Sequence, residues 1–270
     1  MTTRASRIER YYDHHDMEGE ELGQSRKHLA AAQDIAAVLK WYFAGQEVDI
    51  DSELNFYQTD DAKEPPLCPD VAVIRGMRPD SRAEEDLPSY YIGEDGPPPV
   101  VVFEVASPTT WRVDLEEKPA KYAQAGVSEY FTFDPRIRTV WRGGWRDKGR
   151  LVGWRRDKVS GQLLELPKDA AGRLWSEELD SWLVVEDDLL KFYSREGQLR
   201  LTETEAEQLR ANLAEQQTRH ERQRTREAEL QTEAERKNVI LAEQKAKEAE
   251  QKAERLAELL RQAGYSPDIL

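Results

Sequence analysis

The sequence has a single cysteine, Cys68, and no uninterrupted apolar stretch that approaches the roughly 20 residues of a membrane-spanning helix. One thiol excludes a disulfide within the chain. The opening segment MTTRASRIERYYDHHD lacks the apolar stretch of a signal peptide. We therefore expect a cytoplasmic protein that does not cross a membrane.

Positive charge is also scarce in most of the chain. The net charge is −14, and residues 198–270 contain 13 Lys/Arg against 15 Asp/Glu, so the first 197 residues carry −12 of the total. Neutralising nucleic-acid phosphates requires clustered cations. Any contact with nucleic acid must therefore depend on a local basic patch.

Glycine and proline are absent between residue 198 and Gly264, where Glu, Gln, Ala, Lys and Arg predominate. This composition predicts one long helix. A repeat of three and four residues marks a coiled-coil seam on it, so we expect association with a second copy or another helical partner. The seam comprises Val239, Ala242, Ala246, Ala249, Ala253, Leu256, Leu260 and Ala263.

Alternating or continuous apolar residues predict three strands in the preceding part of the chain. The stretch EVDIDSELNFY places Val48, Ile50, Leu54 and Phe56 on one face of a half-buried strand. The segments DVAVI and VVVFEV follow as strands, and the second is apolar on both faces, as in the centre of a sheet.

Two helices are predicted around these strands. The first, SRKHLAAAQDIAAVLKWYF, precedes them and can be capped by Ser25. The second, DLEEKPAKYAQAG, follows them, with Asp114 as the N-cap and Gly126 at its end. The apolar face of the first helix is expected at Leu29, Ala32, Ala36, Leu39 and Phe43.

The segments EYFTF and RTVWR predict two more strands, and residues 143–197 predict β-hairpins that cap the α/β core. The order is helix, three strands, helix, two strands. We divide the chain into an N-terminal segment, residues 1–24, an α/β domain, residues 25–197, and a charged C-terminal helix, residues 198–270.

Two acids stand at the ends of predicted core strands: Asp70 before DVAVI and Glu104 near the end of VVVFEV. Burying an unpaired carboxylate costs several kcal/mol, roughly, so such an acid is paired, protonated or bound to a cation. If the two strands are neighbours, the carboxylates form a hard-oxygen site suited to Mg²⁺ or Mn²⁺. Because the acids repel without a cation, replacing either should leave the free protein as stable or slightly more stable. Lys118 and Lys121, on the following helix, are candidates for a cation that contacts water or phosphate.

Four motifs follow one another along the chain. They are Pro69-Asp70, Glu-Val-x-Ser-Pro at 104–108, Asp-x-x-x-Lys at 114–118 and Tyr-x-x-x-Gly-Val-x-Glu-Tyr at 122–130. This ordered set resembles the Uma2 family of restriction-type endonucleases, part of the PD-(D/E)XK nuclease superfamily. The resemblance implies a restriction-endonuclease-like core of order αβββαβ and Mg²⁺- or Mn²⁺-dependent hydrolysis of DNA phosphodiester bonds.

The resemblance assigns Asp70 and Glu104 as catalytic metal ligands, with the backbone carbonyl of Val105 as a third ligand. The usual lysine position of the superfamily, two residues after the glutamate, is Ala106 here. The family carries its lysine on the following helix, which corresponds to Lys118.

The chain departs from the family pattern in two further places. Pro119 directly follows Lys118, so Lys121 is the alternative cation if the proline displaces the first turn of the helix. The family's glutamate before the histidine that corresponds to His28 is replaced by the neutral Gln24.

Residues 136–158 contain nine basic residues and three tryptophans against two acids. Alternating cations and aromatic rings suit phosphate and base contacts, with Arg142, Arg146, Arg155 and Arg156 as candidates, whereas a hairpin with a basic solvent face is the alternative. Two functions follow from the whole sequence. One is a metal-dependent DNA endonuclease, and the other is an inactive nuclease-like fold that acts as a coiled-coil interaction or scaffold protein.

Overall fold

The computed structural model describes residues 26–52, 54–61, 63–82, 89–107, 110–135 and 148–264. The chain divides into two compact units, Met1–Ala206 and Glu207–Leu270. The first is a mixed α/β unit in which sheets are flanked by helices, and the second consists of most of one long helix. The strand predicted for RTVWR lies outside the described residues.

The described residues form five helices and eleven strands. The helices are α1 (Arg26–Tyr42), α2 (Pro79–Arg82), α3 (Trp111–Glu116), α4 (Lys118–Ala125) and α5 (Glu203–Gln262). The strands are β1 (Val48–Asp51), β2 (Asn55–Tyr57), β3 (Val71–Arg75), β4 (Ser89–Tyr91), β5 (Val101–Val105), β6 (Glu129–Phe133), β7 (Leu151–Arg156), β8 (Leu163–Glu165), β9 (Leu174–Ser176), β10 (Ser181–Glu186) and β11 (Leu189–Tyr193).

The main sheet has six strands in the order β1-β3-β5-β6-β7-β8. Only β5 and β6 pair in parallel, and the other neighbours are antiparallel. Every residue of β5 is buried, so the prediction that VVVFEV is a central strand is confirmed. The connection from β5 to β6 runs through α3 and α4, because parallel neighbours need a crossover.

The predicted single strand EVDIDSELNFY is wrong, because the segment forms two strands in two sheets. β1 pairs with β3 in the main sheet, whereas β2 pairs in parallel with β4 in a separate two-stranded sheet. Ile50 packs in the core beside α1, and Phe56 packs beside Tyr90 in the other core. Tertiary pairing therefore overrides the shared period of two.

The hydrophobic core has two parts, one on each face of the main sheet. Alternate residues of β3, β5 and β6 face α1 and the three-stranded sheet β11-β10-β9, and the intervening residues face α4 and β2 with β4. One predicted position of the apolar face of α1 is wrong, since Leu29 is 42% exposed. Four residues outside the predicted set, His28, Ala31, Ile35 and Val38, are also buried.

The helix predicted from Asp114 to Gly126 is two short helices. α3 begins at Trp111 after Thr110, so Asp114 is an interior residue and its prediction as the N-cap is wrong. The carboxylate of Asp114 is buried and accepts a hydrogen bond from Thr110 Oγ1 at 2.9 Å. The predicted end is confirmed, because Gly126 adopts a left-handed conformation, φ 90°, that glycine reaches without strain.

The hairpins predicted for residues 143–197 are present from β7 onward. β7 and β8 form an antiparallel pair at the edge of the main sheet, and β9, β10 and β11 form the separate three-stranded antiparallel sheet. The long helix is confirmed as α5, none of whose residues is buried. Among the residues described, no helix is long and apolar enough to cross a membrane.

Candidate active site

The register of the main sheet places Asp70 beside Glu104. Val71 of β3 lies opposite Phe103 of β5, so the residue before Val71 lies opposite the residue after Phe103. The two carboxylates are 7% and 3% exposed. The backbone N–H of Val105 donates a hydrogen bond to Asp70 Oδ2 at 2.6 Å. The structure therefore places the two acids that the sequence singles out side by side, at the same end of the neighbouring strands β3 and β5.

Lys118 joins this site from the start of α4. Its Nζ lies 2.7 Å from Glu104 Oε1 and 2.9 Å from Asp114 Oδ1, and its side chain is 22% exposed. Pro119 occupies the first turn of α4, where its missing N–H needs no partner, so it does not displace the lysine.

Lys121, the alternative cation, lies elsewhere. Its Nζ is 3.5 Å from Glu117 Oε2, and its side chain is 53% exposed. An exposed pair of this kind has little energetic weight. Of the two lysines, only Lys118 contacts Glu104.

Ala106 explains why the lysine comes from a helix. Residues two apart in a strand share a face, so Ala106 continues on the same side as Glu104. Ala106 is 1% exposed and packs in the core that contains Ala72 and Tyr122. A small side chain at this position fits the apolar packing, and the cation reaches Glu104 from α4.

Three further residues belong to the site, two that contact the predicted acids and one that contacts Lys118. His28 Nε2 of α1 lies 3.2 Å from Asp70 Oδ2, and Tyr122 donates a hydrogen bond to Glu104 Oε1 at 2.5 Å. Asp114 is the third residue, through its contact with Lys118. A signal for two of them exists in the sequence, because Asp114, Lys118 and Tyr122 recur at intervals of four residues.

Burial lowers the pKa of His28, but the hydrogen bond and charge of Asp70 outweigh burial, and the net direction is upward. The backbone of Val105 also raises the imidazole pKa of His28.

Burial raises the pKa of Glu104 to about 8, with Lys118 opposing the shift and Asp70 and Asp114 adding to it. Burial also raises the pKa of Asp114. Burial alone would lower the pKa of Lys118, but Glu104 and Asp114 outweigh it and raise this pKa. Lys118 thus remains an ammonium group, whereas Glu104 holds a proton near neutral pH.

The donor set fits a Mg²⁺ or Mn²⁺ ion held by few protein ligands. Within the described parts of the chain, no three or more His, Cys, Asp or Glu side chains are arranged to hold a metal ion. Mg²⁺ is usually bound through one or two carboxylates, with water and substrate phosphate completing its shell. Asp70 and Glu104 supply such a pair, and the surplus of buried acid favours an added cation.

The candidate nucleic-acid contacts have different environments. Arg155 makes hydrogen bonds through Nε to Glu129 Oε1 at 2.7 Å, through Nη1 to Glu177 Oε1 at 2.8 Å, and through Nη2 to the Trp175 carbonyl at 2.7 Å. Arg156 Nη1 donates to the Ala123 carbonyl at 2.6 Å. Arg142 and Arg146 lie outside the described residues.

The fold and the site define a mixed α/β protein with a buried acidic cluster, one lysine and one histidine at a sheet edge. The model of the Uma2 family, described as "Putative restriction endonuclease", matches residues 15–179. This match covers more than half of the chain, which therefore belongs to the Uma2 family, and the predicted family resemblance is confirmed.

One solved structure that resembles the chain is a putative nuclease belonging to DUF820 from Anabaena variabilis ATCC 29413. The two share 15% sequence identity at a TM-score of 0.38, over 60% of this chain and 80% of that one. No curated protein matches the sequence.

Proposed function

We propose that this protein is a metal-dependent endonuclease that hydrolyses DNA phosphodiester bonds. Membership of a family described as "Putative restriction endonuclease" supports this class of reaction. The observation that carries the proposal is the buried juxtaposition of Asp70 and Glu104, with the Lys118 ammonium 2.7 Å from Glu104. The core order αβββαβ of the superfamily is part of this proposal, with α1, β1, β3, β5, the α3–α4 pair and β6 in the corresponding places.

Asp70 and Glu104 would hold Mg²⁺ or Mn²⁺, with the Val105 carbonyl as a third ligand. A backbone carbonyl oxygen has two lone pairs and can accept a cation. The divalent ion would supply positive charge that offsets the negative charge developing on the phosphodiester.

Lys118 acts in this proposal as a fixed cation. Since its pKa is raised by Glu104 and Asp114, it carries a proton throughout the neutral range and does not serve as a general base. Its ammonium group can donate hydrogen bonds to a phosphate oxygen or to the attacking water. Asp114 holds the Nζ atom at 2.9 Å and so orients it towards Glu104.

His28 and Tyr122 act as positioning residues. Each contacts one oxygen of a proposed ligand, the imidazole on Asp70 and the phenol on Glu104. Such contacts fix the direction of the carboxylates before a cation binds, as outer-sphere partners do in metal sites.

The proposed substrate contact lies in the basic segment, residues 136–158, with Arg142, Arg146 and Arg156 as phosphate ligands. The guanidinium of Arg155 is held by Glu129 and Glu177, so we assign it a structural role. We further propose that α5 associates with a second chain through its apolar seam. The alternative function as an inactive scaffold is not favoured, because acids and lysine come together in the arrangement that hydrolysis needs.

Cleavage of supercoiled plasmid DNA tests the proposal. We expect nicked or linear product with Mg²⁺ or Mn²⁺ and none with EDTA, and Glu104→Gln should abolish it while the circular dichroism spectrum is unchanged. Product that forms equally with EDTA, or with Glu104→Gln, would refute a metal-dependent reaction at this site. A folded protein that produces none under any of these conditions would support the scaffold function.

A further inference from the structure

In a seven-residue repeat, the residues that recur at one position form a column along the helix. One such column of α5, which includes Val239 of the seam, has no charged residue over the whole length of the helix. Its members are small or β-branched, except for a final leucine. In coiled-coil notation this is column a. Its members are Thr204, Ala211, Thr218, Thr225, Thr232, Val239, Ala246, Ala253 and Leu260.

Three of the four threonines in this column direct their hydroxyl groups to their own helix. Thr218, Thr225 and Thr232 each donate a hydrogen bond to the carbonyl four residues earlier, at distances of 2.9 to 3.0 Å. A hydroxyl that is satisfied in this way does not need water or a partner's polar group. These three positions can therefore face another helix without leaving an unpaired hydroxyl.

Column d, three residues further on, divides the helix into two halves. It carries Ala or Leu from Ala242 to Ala263, but Glu at 207, 221 and 235. Val239, Leu256 and Leu260 are 57%, 60% and 42% exposed in the single chain. The tight apolar contact is therefore confined to residues 239–263, and the earlier half has charged positions within its seam.

The flanking columns e and g decide the direction in which two such helices can pair. The only acid in column g is Glu203, the first residue of α5, and the cations of this column are Arg210, Arg224, Lys245 and Lys252. In a parallel pair, each g residue faces the partner's e residue five positions later. This rule joins Arg210 to the partner's Glu215, Arg224 to the partner's Glu229 and Lys245 to the partner's Glu250.

No parallel g–e pair joins like charges. The other g–e combinations hold at most one charge each, namely Glu203 with Gln208, Gln217 with Arg222, Gln231 with Arg236, Asn238 with Glu243, and Lys252 with Ala257. In an antiparallel pair, column g would face the partner's column g, and its cations would repel.

We propose that α5 forms a parallel, in-register, two-stranded coiled coil with α5 of a second copy of this chain. The proposal deepens the association suggested for α5 and is independent of nuclease activity. The dimer interface contains two copies of the Lys245–Glu250 pair, one on each side of the apolar layers at Ala246 and Ala249. The two chains enter the coiled coil at the same end.

Disulfide trapping in the full chain tests the direction of pairing. In a Cys68→Ser background, Val239→Cys and Leu260→Cys each place one thiol in column a, and Gln244→Cys and Gln251→Cys place it in column f on the opposite side. We expect both column a variants to form covalent dimers under mild oxidation, at least tenfold faster than the column f variants.

The two column a positions are 21 residues apart, or about 31 Å along a helix. A disulfide needs Cα atoms within about 7 Å, and an antiparallel pair can bring only one such position onto itself. Crosslinking of both positions therefore requires a parallel register. Cross-linking of Val239→Cys only with Leu260→Cys, or of neither variant, would overturn the proposal.

Charge reversal tests the pairing of Lys245 with Glu250. In sedimentation equilibrium, Lys245→Glu should weaken the dimer about tenfold, because two attractive pairs become repulsive. Lys245→Glu combined with Glu250→Lys should restore association, while Lys247→Glu, in column b, should leave it unchanged. An unrestored double variant would contradict the g–e pairing. These measurements need neither metal nor DNA, so their failure leaves the nuclease proposal untouched, and absence of cleavage leaves this one untouched.

Discussion

The N–H of Val105 and the carboxylate of Asp70 form a buried hydrogen bond, 2.6 Å from the backbone nitrogen to Oδ2, across two antiparallel strands. The bond ties the acid before β3 to the strand that bears Glu104. It gives Asp70 a structural contact in addition to its proposed role as a metal ligand. The expectation that replacing either acid leaves stability unchanged therefore needs revision for Asp70.

Asp70→Ala should destabilise the metal-free protein by about 1–3 kcal/mol, since it leaves the Val105 N–H buried without its acceptor. Asp70→Asn retains a carbonyl oxygen that can accept this bond and should cost less. Urea unfolding of both variants measures the difference. Equal stability of Asp70→Ala and the unmodified protein would mean that the hydrogen bond contributes nothing.

Calorimetric titration of Mn²⁺ tests the proposed ligands. Asp70→Asn and Glu104→Gln should each reduce affinity at least tenfold, because each removes one of two anionic ligands. Ser107→Ala, at the same edge of the sheet, is the matched control and should bind as the unmodified protein does. Retained affinity in both acid variants would show that the carboxylates do not hold the metal.

Lys118→Met and Lys121→Met form a matched pair on α4. We expect Lys118→Met to slow DNA cleavage by about 10²–10³-fold. The variant lacks the fixed cation that stabilises the negative charge developing on the phosphate during hydrolysis. Lys121→Met should cleave at the original rate, since Lys121 contacts only Glu117 among the ion pairs described for it. Mn²⁺ titration should show that metal binding persists in both. A slow Lys121→Met variant with normal Lys118→Met would reverse the assignment.

The free energy of unfolding of the metal-free protein should fall as pH rises from about 4.5 to about 8. The pKa of Glu104 is raised in the folded state from 4.5 to about 8, so the folded protein holds a proton that the unfolded chain has lost. The stability that this bound proton contributes is fully present below the pKa of Glu104 in the unfolded chain. It is lost as the pH rises through the pKa of Glu104 in the folded protein. Glu104→Gln should remove this component, which denaturant unfolding at pH 5, 7 and 9 can detect. Parallel curves for the two proteins would exclude a titration of Glu104 in this range.

We expect Arg155→Gln to affect the stability of the fold, and Arg156→Gln to affect the binding of DNA. Glu129 is 1% exposed and accepts the hydrogen bond from Arg155, so Arg155→Gln should lower the melting temperature by several degrees. Arg156→Gln, with Arg142→Gln and Arg146→Gln, should keep the fold, weaken DNA binding and flatten its salt dependence. Unchanged affinity and salt slope in this triple variant would limit the segment to a structural role.

Much of the fold follows from the sequence, because its strongest patterns are local. The apolar run VVVFEV can only be a buried strand, and the absence of Gly and Pro before Gly264 leaves α5 uninterrupted. Gly126 ends α4 because glycine adopts the left-handed conformation without strain, which is also a local property of the sequence. The ordered motifs also predict the family, because they combine several short signals in one sequence order.

Only the tertiary structure decides how the candidate site is assembled. The sequence marks Asp70, Glu104 and two lysines, but the register of β3 on β5 places the acids together, and the position of α4 selects Lys118 rather than Lys121. His28 reaches Asp70 from α1 across a separation of 42 residues, which no local pattern indicates. Period and propensity act over a few neighbouring residues, whereas the contacts of a buried carboxylate depend on which distant strands and helices pack around it.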